Sequence, residues 1–154
     1  MKNHAIFKSL TKEEYDKLIK IFTEKKIPKN TVLIKEGDSG DSAFLLIEGK
    51  VSIVKETIYG EDYVVTIIEA GGDEFFGEIN LIDKGKRTST ITAIEDSVIL
   101  EVTSDTLKNF MDNNPTIGYK ILWYMTHSLA RHLRKADSDV ITLFNALVEV
   151  VEND

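Results

Sequence analysis

Cysteine is absent from all 154 residues, which excludes disulfides, thiolate nucleophiles and cysteine-based zinc sites and suits a reducing cytoplasm. Positive charge is in deficit. Nineteen Lys and Arg against 26 Asp and Glu leave a net charge of −7, which opposes the phosphate neutralisation that nucleic-acid affinity rests on. No nucleic-acid partner is therefore expected. Apolar runs stop at strand length, short of the roughly 18 residues a membrane span needs, and no export signal opens the chain. Neither membrane nor secretion is expected, and the cytoplasm is the expected location. Histidine is scarce: His4, His127 and His132 lie outside the central β-rich stretch, and a spacing of five does not align two ligands on one helix face. They read as surface residues, and without clustered ligands in the strands neither a structural metal nor a cupin-like metalloenzyme is expected. Repeats, low-complexity stretches and linkers are also lacking. The length fits a single domain over 1–154, and 42% hydrophobic content suffices for its core.

What is present divides the chain into a helical start (1–30), a β-rich middle (31–102) and a helical end (103–154). Leu10 to Lys26 predicts a first helix, with Thr11 as N-cap, Glu14 completing a capping box and Pro28 ending it. Short β-branched runs follow at 31–34, 43–47, 50–55, 63–68, 89–94 and 97–102, separated by the glycine turns Gly37 to Asp41, Glu48-Gly49, Tyr59-Gly60-Glu61 and Gly71-Gly72-Asp73. The fold class is α+β, mainly β: an antiparallel β-roll or jelly-roll barrel with an N-terminal helix, a short helix in the middle and a long C-terminal helix. Helical periodicity returns over 104–112 and again from Pro115, well placed in a first turn. Ile117, Ile121, Met125, Leu129, Leu133, Val140, Phe144, Leu147 and Val151 form one stripe, too long for a small barrel to cover. A homodimer through this helix is expected, with a break near Ala136-Asp137-Ser138 as the competing reading.

The segment Gly71 to Ala93 concentrates the chemistry. Gly77-Glu78 opens a run, Ile79 to Ile82, long enough for one helical turn, whose unpartnered N–H groups attract an anion. Nine residues after Glu78 comes Arg87, able to grip two phosphate oxygens, followed by the hydroxyls of Thr88, Ser89 and Thr90. These residues together suggest an enclosed phosphate, whereas each alone would be explained by a turn or an ordinary Glu78–Arg87 ion pair.

Phe76-Gly77-Glu78-Ile79-Asn80-Leu81-Ile82, followed by Arg87-Thr88-Ser89, resembles the phosphate-binding cassette of the cyclic-nucleotide-binding domain family. Gly37 to Val51 is similar to that family's turn-strand-turn pattern, and Leu129 to Arg134 to the dimer helix of its bacterial regulators. The resemblance implies a β-roll that binds cAMP or cGMP and is regulatory, not enzymatic. It implies that Arg87 binds the cyclic phosphate, that Glu78 accepts from the ribose 2′-OH, and that Gly77, Thr88 and Ser89 supply further donors. Phe76, Ile79 and Asn80 count with the ligand site, and Asp137 falls near where bacterial activators place residues that touch the base. The stretch 72–78 is one residue longer than the common form. No helix-turn-helix, kinase or channel domain follows the dimer helix, so a stand-alone sensor with a separate effector protein is expected, acting by ligand-dependent repositioning of its C-terminal helix. A ligand-independent dimeric interaction module is the alternative. Arg131, Arg134 and Lys135 read as a solvated face, and Trp123 and Tyr124 as packing.

Overall fold

A computed structural model describes residues 5–71 and 75–152. The chain falls into two compact units, Met1–Lys120 and Ile121–Asp154. In the first, two short helices, α1 (Ala5–Lys8) and α2 (Lys12–Leu18), precede a 3-10 turn at Ile19–Ile21. The capping box at α2 is formed: Glu14 N–H donates to Thr11 Oγ1, and Thr11 N–H donates to Glu14 Oε2 at 2.8 Å. The first helix is shorter than the sequence predicts. Thr23 to Lys26, read as its last turn, belongs instead to strand β1 (Thr23–Ile27), paired antiparallel along β8 (Ser97–Thr103). Only Ile27 of this edge strand is partly buried, so no alternation of apolar residues betrayed it.

The other strands are β2 (Val32–Ile34), β3 (Ser42–Glu48), β4 (Lys50–Glu56), β5 (Asp62–Glu69), β6 (Phe75–Phe76) and β7 (Thr90–Ala93). They form two antiparallel four-stranded sheets, ordered β1-β8-β3-β6 and β2-β7-β4-β5. The sheets share a core of Ile34, Phe44, Leu46, Val51, Ile68, Phe76, Ile91 and Ile99. Among the described residues no strand ladder joins the two sheets, which makes the unit an open β-roll rather than a closed barrel. At the β3–β4 turn only glycine fits. Gly49 has φ +88°, and a Cβ there would stand 2.5 Å from the Asp96 carbonyl oxygen. Gly72 and Asp73 of the turn predicted at 71–73, and His4, lie outside the described residues.

Helix α3 (Glu78–Asp83) follows β6, and α4 (Ser104–Asn113) follows β8, capped by Thr103 Oγ1. Helix α5 (Pro115–Glu152) runs unbroken through Ala136-Asp137-Ser138. Its first turns belong to the first unit, where Lys120 Nζ meets both oxygens of Glu14, at 2.9 and 2.7 Å. The predicted apolar stripe proves to be two. Ile117, Ile121 and Met125 are buried, whereas the residues from Leu133 onward are exposed and continue a different side of the helix, that of Tyr119 and Leu122. From Arg131 to Val151 every side chain is exposed. No helix among the described residues is long and apolar enough to cross a membrane.

Candidate functional site

Arg87 sits between α3 and β7, and its backbone is laced to the turn joining β2 to β3. Its N–H donates to the Asp38 carbonyl at 2.8 Å, and its own carbonyl accepts from Gly37 N–H at 2.9 Å. These bonds aim the side chain along the start of β3. There Nη1 donates to the Ser42 carbonyl at 2.8 Å and reaches Asn80 Oδ1 at 3.5 Å, and Nη2 donates to Ser42 Oγ at 3.1 Å. The guanidinium carbon lies 5.8 Å from the centre of the Phe44 ring, which stacks on Phe76. Arg87 is 7% exposed, and among the described residues no carboxylate comes within ion-pair distance of it. The ordinary Glu78–Arg87 ion pair is therefore not what the cation is for.

The electrostatics match this geometry. Burial lowers the Arg87 pKa, and the more distant charges of Asp41 and then Glu101 oppose that shift. All the direct partners are neutral acceptors, so the site retains a net positive centre shielded from water. Such a centre is costly to bury until an anion answers it.

Two glycines shape the space around it. A Cβ on Gly40 would stand 2.6 Å from Arg87 Cζ and Nη2, so only glycine lets the guanidinium lie where it does. Gly77 precedes α3 in the left-handed region, φ +76°, and a Cβ there would come 3.0 Å from Nη1 and 3.1 Å from the Ser42 carbonyl. In the first turn of α3, Glu78 and Asn80 are buried while Ile79 is 43% exposed. Asn80 Nδ2 donates to the Gly85 carbonyl at 2.7 Å, tying the loop that leads to Arg87.

The sequence-predicted residues divide accordingly. Phe76, Gly77, Glu78, Ile79, Asn80, Arg87, Thr88 and Ser89 fall on one continuous stretch, β6 to the start of β7. Thr88 is exposed and Ser89 half-buried, and neither hydroxyl makes a hydrogen bond among the described residues. Thr90 is committed elsewhere, since its Oγ1 accepts from Glu36 N–H at 3.0 Å. Asp137 stands exposed on α5 in the second unit. Sequence reasoning missed Asp38, Gly40 and Ser42 as site residues, although they lie in the turn-strand pattern it singled out. Among the described residues no cluster of His, Asp or Glu could hold a metal ion.

The family model described as the cyclic nucleotide-binding domain matches residues 24–114. The chain is 27% identical over 140 residues to the cyclic AMP receptor protein of Thermus thermophilus, covering 91% of this chain and 62% of that protein. The crystal structure of the Thermus thermophilus catabolite activator protein superposes with a TM-score of 0.79 at 27% identity, over 90% of this chain and 62% of the other. The regulatory domain of Toxoplasma gondii PKA, solved with cAMP, gives a TM-score of 0.61 at 29% identity, over 71% of this chain and 41% of the other. The chain thus spans about three-fifths of the length of the bacterial relative it matches.

Proposed function

Since this chain belongs to the cyclic nucleotide-binding domain family, we propose that it is a regulatory sensor that binds cAMP or cGMP at Arg87 and is not itself an enzyme. One observation carries the reading: a buried guanidinium held only by neutral acceptors, on a stretch lined by glycines and free hydroxyls. Ser42 and Asn80 occupy the Nη1 side and part of Nη2, which leaves Nε and the other Nη2 proton for two oxygens of a cyclic phosphate. The first-turn N–H groups of α3 and the hydroxyls of Thr88 and Ser89 add neutral donors, and Glu78 accepts from the ribose 2′-OH. The likeness to a cyclic AMP receptor protein and to a kinase regulatory domain solved with cAMP favours cAMP. The Thr88 hydroxyl keeps cGMP in play, because it can accept from the guanine amino group.

Output runs through α5, repositioned on binding, and through a second copy of the chain. From Tyr119 to Val150 the residues 119, 122, 126, 129, 133, 136, 140, 143, 147 and 150 alternate in steps of three and four, and only Thr126 among them is polar. This is a heptad seam about 48 Å long, at 1.5 Å per residue. A matching helix buries it in a homodimer, and the effector is a separate protein or a further segment.

Titration calorimetry tests the reading. Saturable heat is expected with both nucleotides, and Arg87→Ala should weaken binding at least about thirty-fold, the lower end of the 2 to 5 kcal/mol lost when a buried charge loses its partner. Thr88→Ala should weaken cGMP selectively. No heat with either nucleotide, or unchanged affinity in Arg87→Ala, overturns the assignment and leaves the ligand-independent interaction module.

A further inference from the structure

We propose that Asn80 is a positioning residue for nucleotide binding, one that holds the Arg87 guanidinium in place without neutralising it, an inference that rests on the nucleotide reading above. Asn80 is 3% exposed and lies in the first turn of α3. Its two polar atoms work in opposite senses. Nδ2 donates to the Gly85 carbonyl at 2.7 Å, while Oδ1 accepts from Arg87 Nη1 at 3.5 Å. Only one orientation of the amide satisfies both neighbours, because a carbonyl accepts and a guanidinium donates.

The main chain closes the same loop. Lys84, in the left-handed region at φ +53°, donates its N–H to the Asn80 carbonyl at 3.1 Å, and Gly85 N–H donates to Asp83 Oδ1 at 2.9 Å. The Lys84–Asp105 ion pair also tethers this loop, but both of its side chains are exposed. Asn80 is buried, and it joins the loop to the guanidinium itself.

Charge explains why the group is an amide. A contact of 3.5 Å is long for a hydrogen bond, so Asn80 steers Nη1 while drawing off little of its charge. An aspartate has nearly the same shape, but it would answer the cation from within the protein and leave less of it for a phosphate. Its second oxygen would also face the Gly85 carbonyl, acceptor against acceptor. An alanine would lose both ties and leave the charge untouched. A role in filling space and a role in keeping the cation available therefore predict opposite orders for these two substitutions.

Titration calorimetry of the full chain with cAMP and cGMP separates them. Asn80→Ala should weaken binding about tenfold, as expected for one lost hydrogen bond to a charged group. Asn80→Asp should bind more weakly still. The reverse order, with the aspartate variant near wild type and alanine lowest, overturns the proposal, as does wild-type affinity in Asn80→Ala. In an Arg87→Ala background Asn80→Ala should cost nothing further, since its effect passes through the guanidinium, and an equal cost in both backgrounds also overturns it. That comparison decides alone if the aspartate variant no longer unfolds cooperatively. Each of these adverse results leaves the nucleotide reading standing, whereas a wild-type chain that binds neither nucleotide overturns both.

Discussion

A guanidinium carries five N–H donors, and at Arg87 three acceptors, the Ser42 carbonyl, Ser42 Oγ and Asn80 Oδ1, take up part of that capacity. Gly40 keeps clear the side where Nε lies. Gly40→Ala would drive a methyl group into the guanidinium, since a Cβ there would stand 2.6 Å from Cζ and Nη2 and closer still to Nε. Overpacking of this kind costs about 1 to 3 kcal/mol. The substitution should lower nucleotide affinity tenfold or more by calorimetry while the protein still unfolds cooperatively, and an unchanged affinity would show that Arg87 does not need this position. Arg87 itself was legible in the sequence, because a cation among glycines and hydroxyls is unusual chemistry for a strand end. Ser42 was not. Its main contact is made by a backbone carbonyl 45 positions away from Arg87, and every residue type owns a carbonyl.

Among the elements, those with alternating or fully apolar runs were legible: β2, β3, β4, β5, β7 and β8 fall within a residue or so of the predicted strands. β6 is only two residues long and pairs with Phe44 and Leu45 through tertiary structure, which no local pattern encodes. The capping box of α2 was also legible, but not its second duty. Glu14 caps α2 and at the same time grips Lys120 at the start of α5. The Lys120 hydrogen bond, then the Thr11 backbone N–H, hold the Glu14 carboxyl below the usual carboxylate range. A lowered folded-state pKa contributes stability that is present above the unfolded value and lost as pH falls through the folded one. Glu14→Gln should therefore lower the melting temperature at neutral pH, and the difference from wild type should shrink as acidification passes below the ordinary carboxylate range and neutralises the wild-type carboxyl as well. A gap that stays constant from pH 7 to pH 3 would assign the loss to packing instead.

At the scale of the whole molecule, the sequence showed that the last helix was too apolar to stand alone, but it merged two sides of that helix into one stripe. Ile117, Ile121 and Met125 share helical spacing with Leu129 and Leu133, and periodicity alone does not separate a buried side from an exposed one. The separation has a direct test. Leu133→Glu with Leu143→Glu, both on the exposed seam, should give a monomer by sedimentation while the β-roll stays folded, whereas a self-associating double variant would show that the chains meet elsewhere. The uncompensated charge at Arg87 has a further effect on the molecule as a whole. A fold that buries a cation without its counterion is less stable empty than filled, so an anion seated there acts as a missing piece of the core. Binding then adds RT ln(1 + [L]/Kd) to the unfolding free energy, about 2.7 kcal/mol at a hundred times Kd. Selection on such a domain acts on occupancy as well as on sequence: a copy kept without its ligand would spend more of its lifetime open to proteolysis, and the protein's abundance would itself come to report the ligand's concentration.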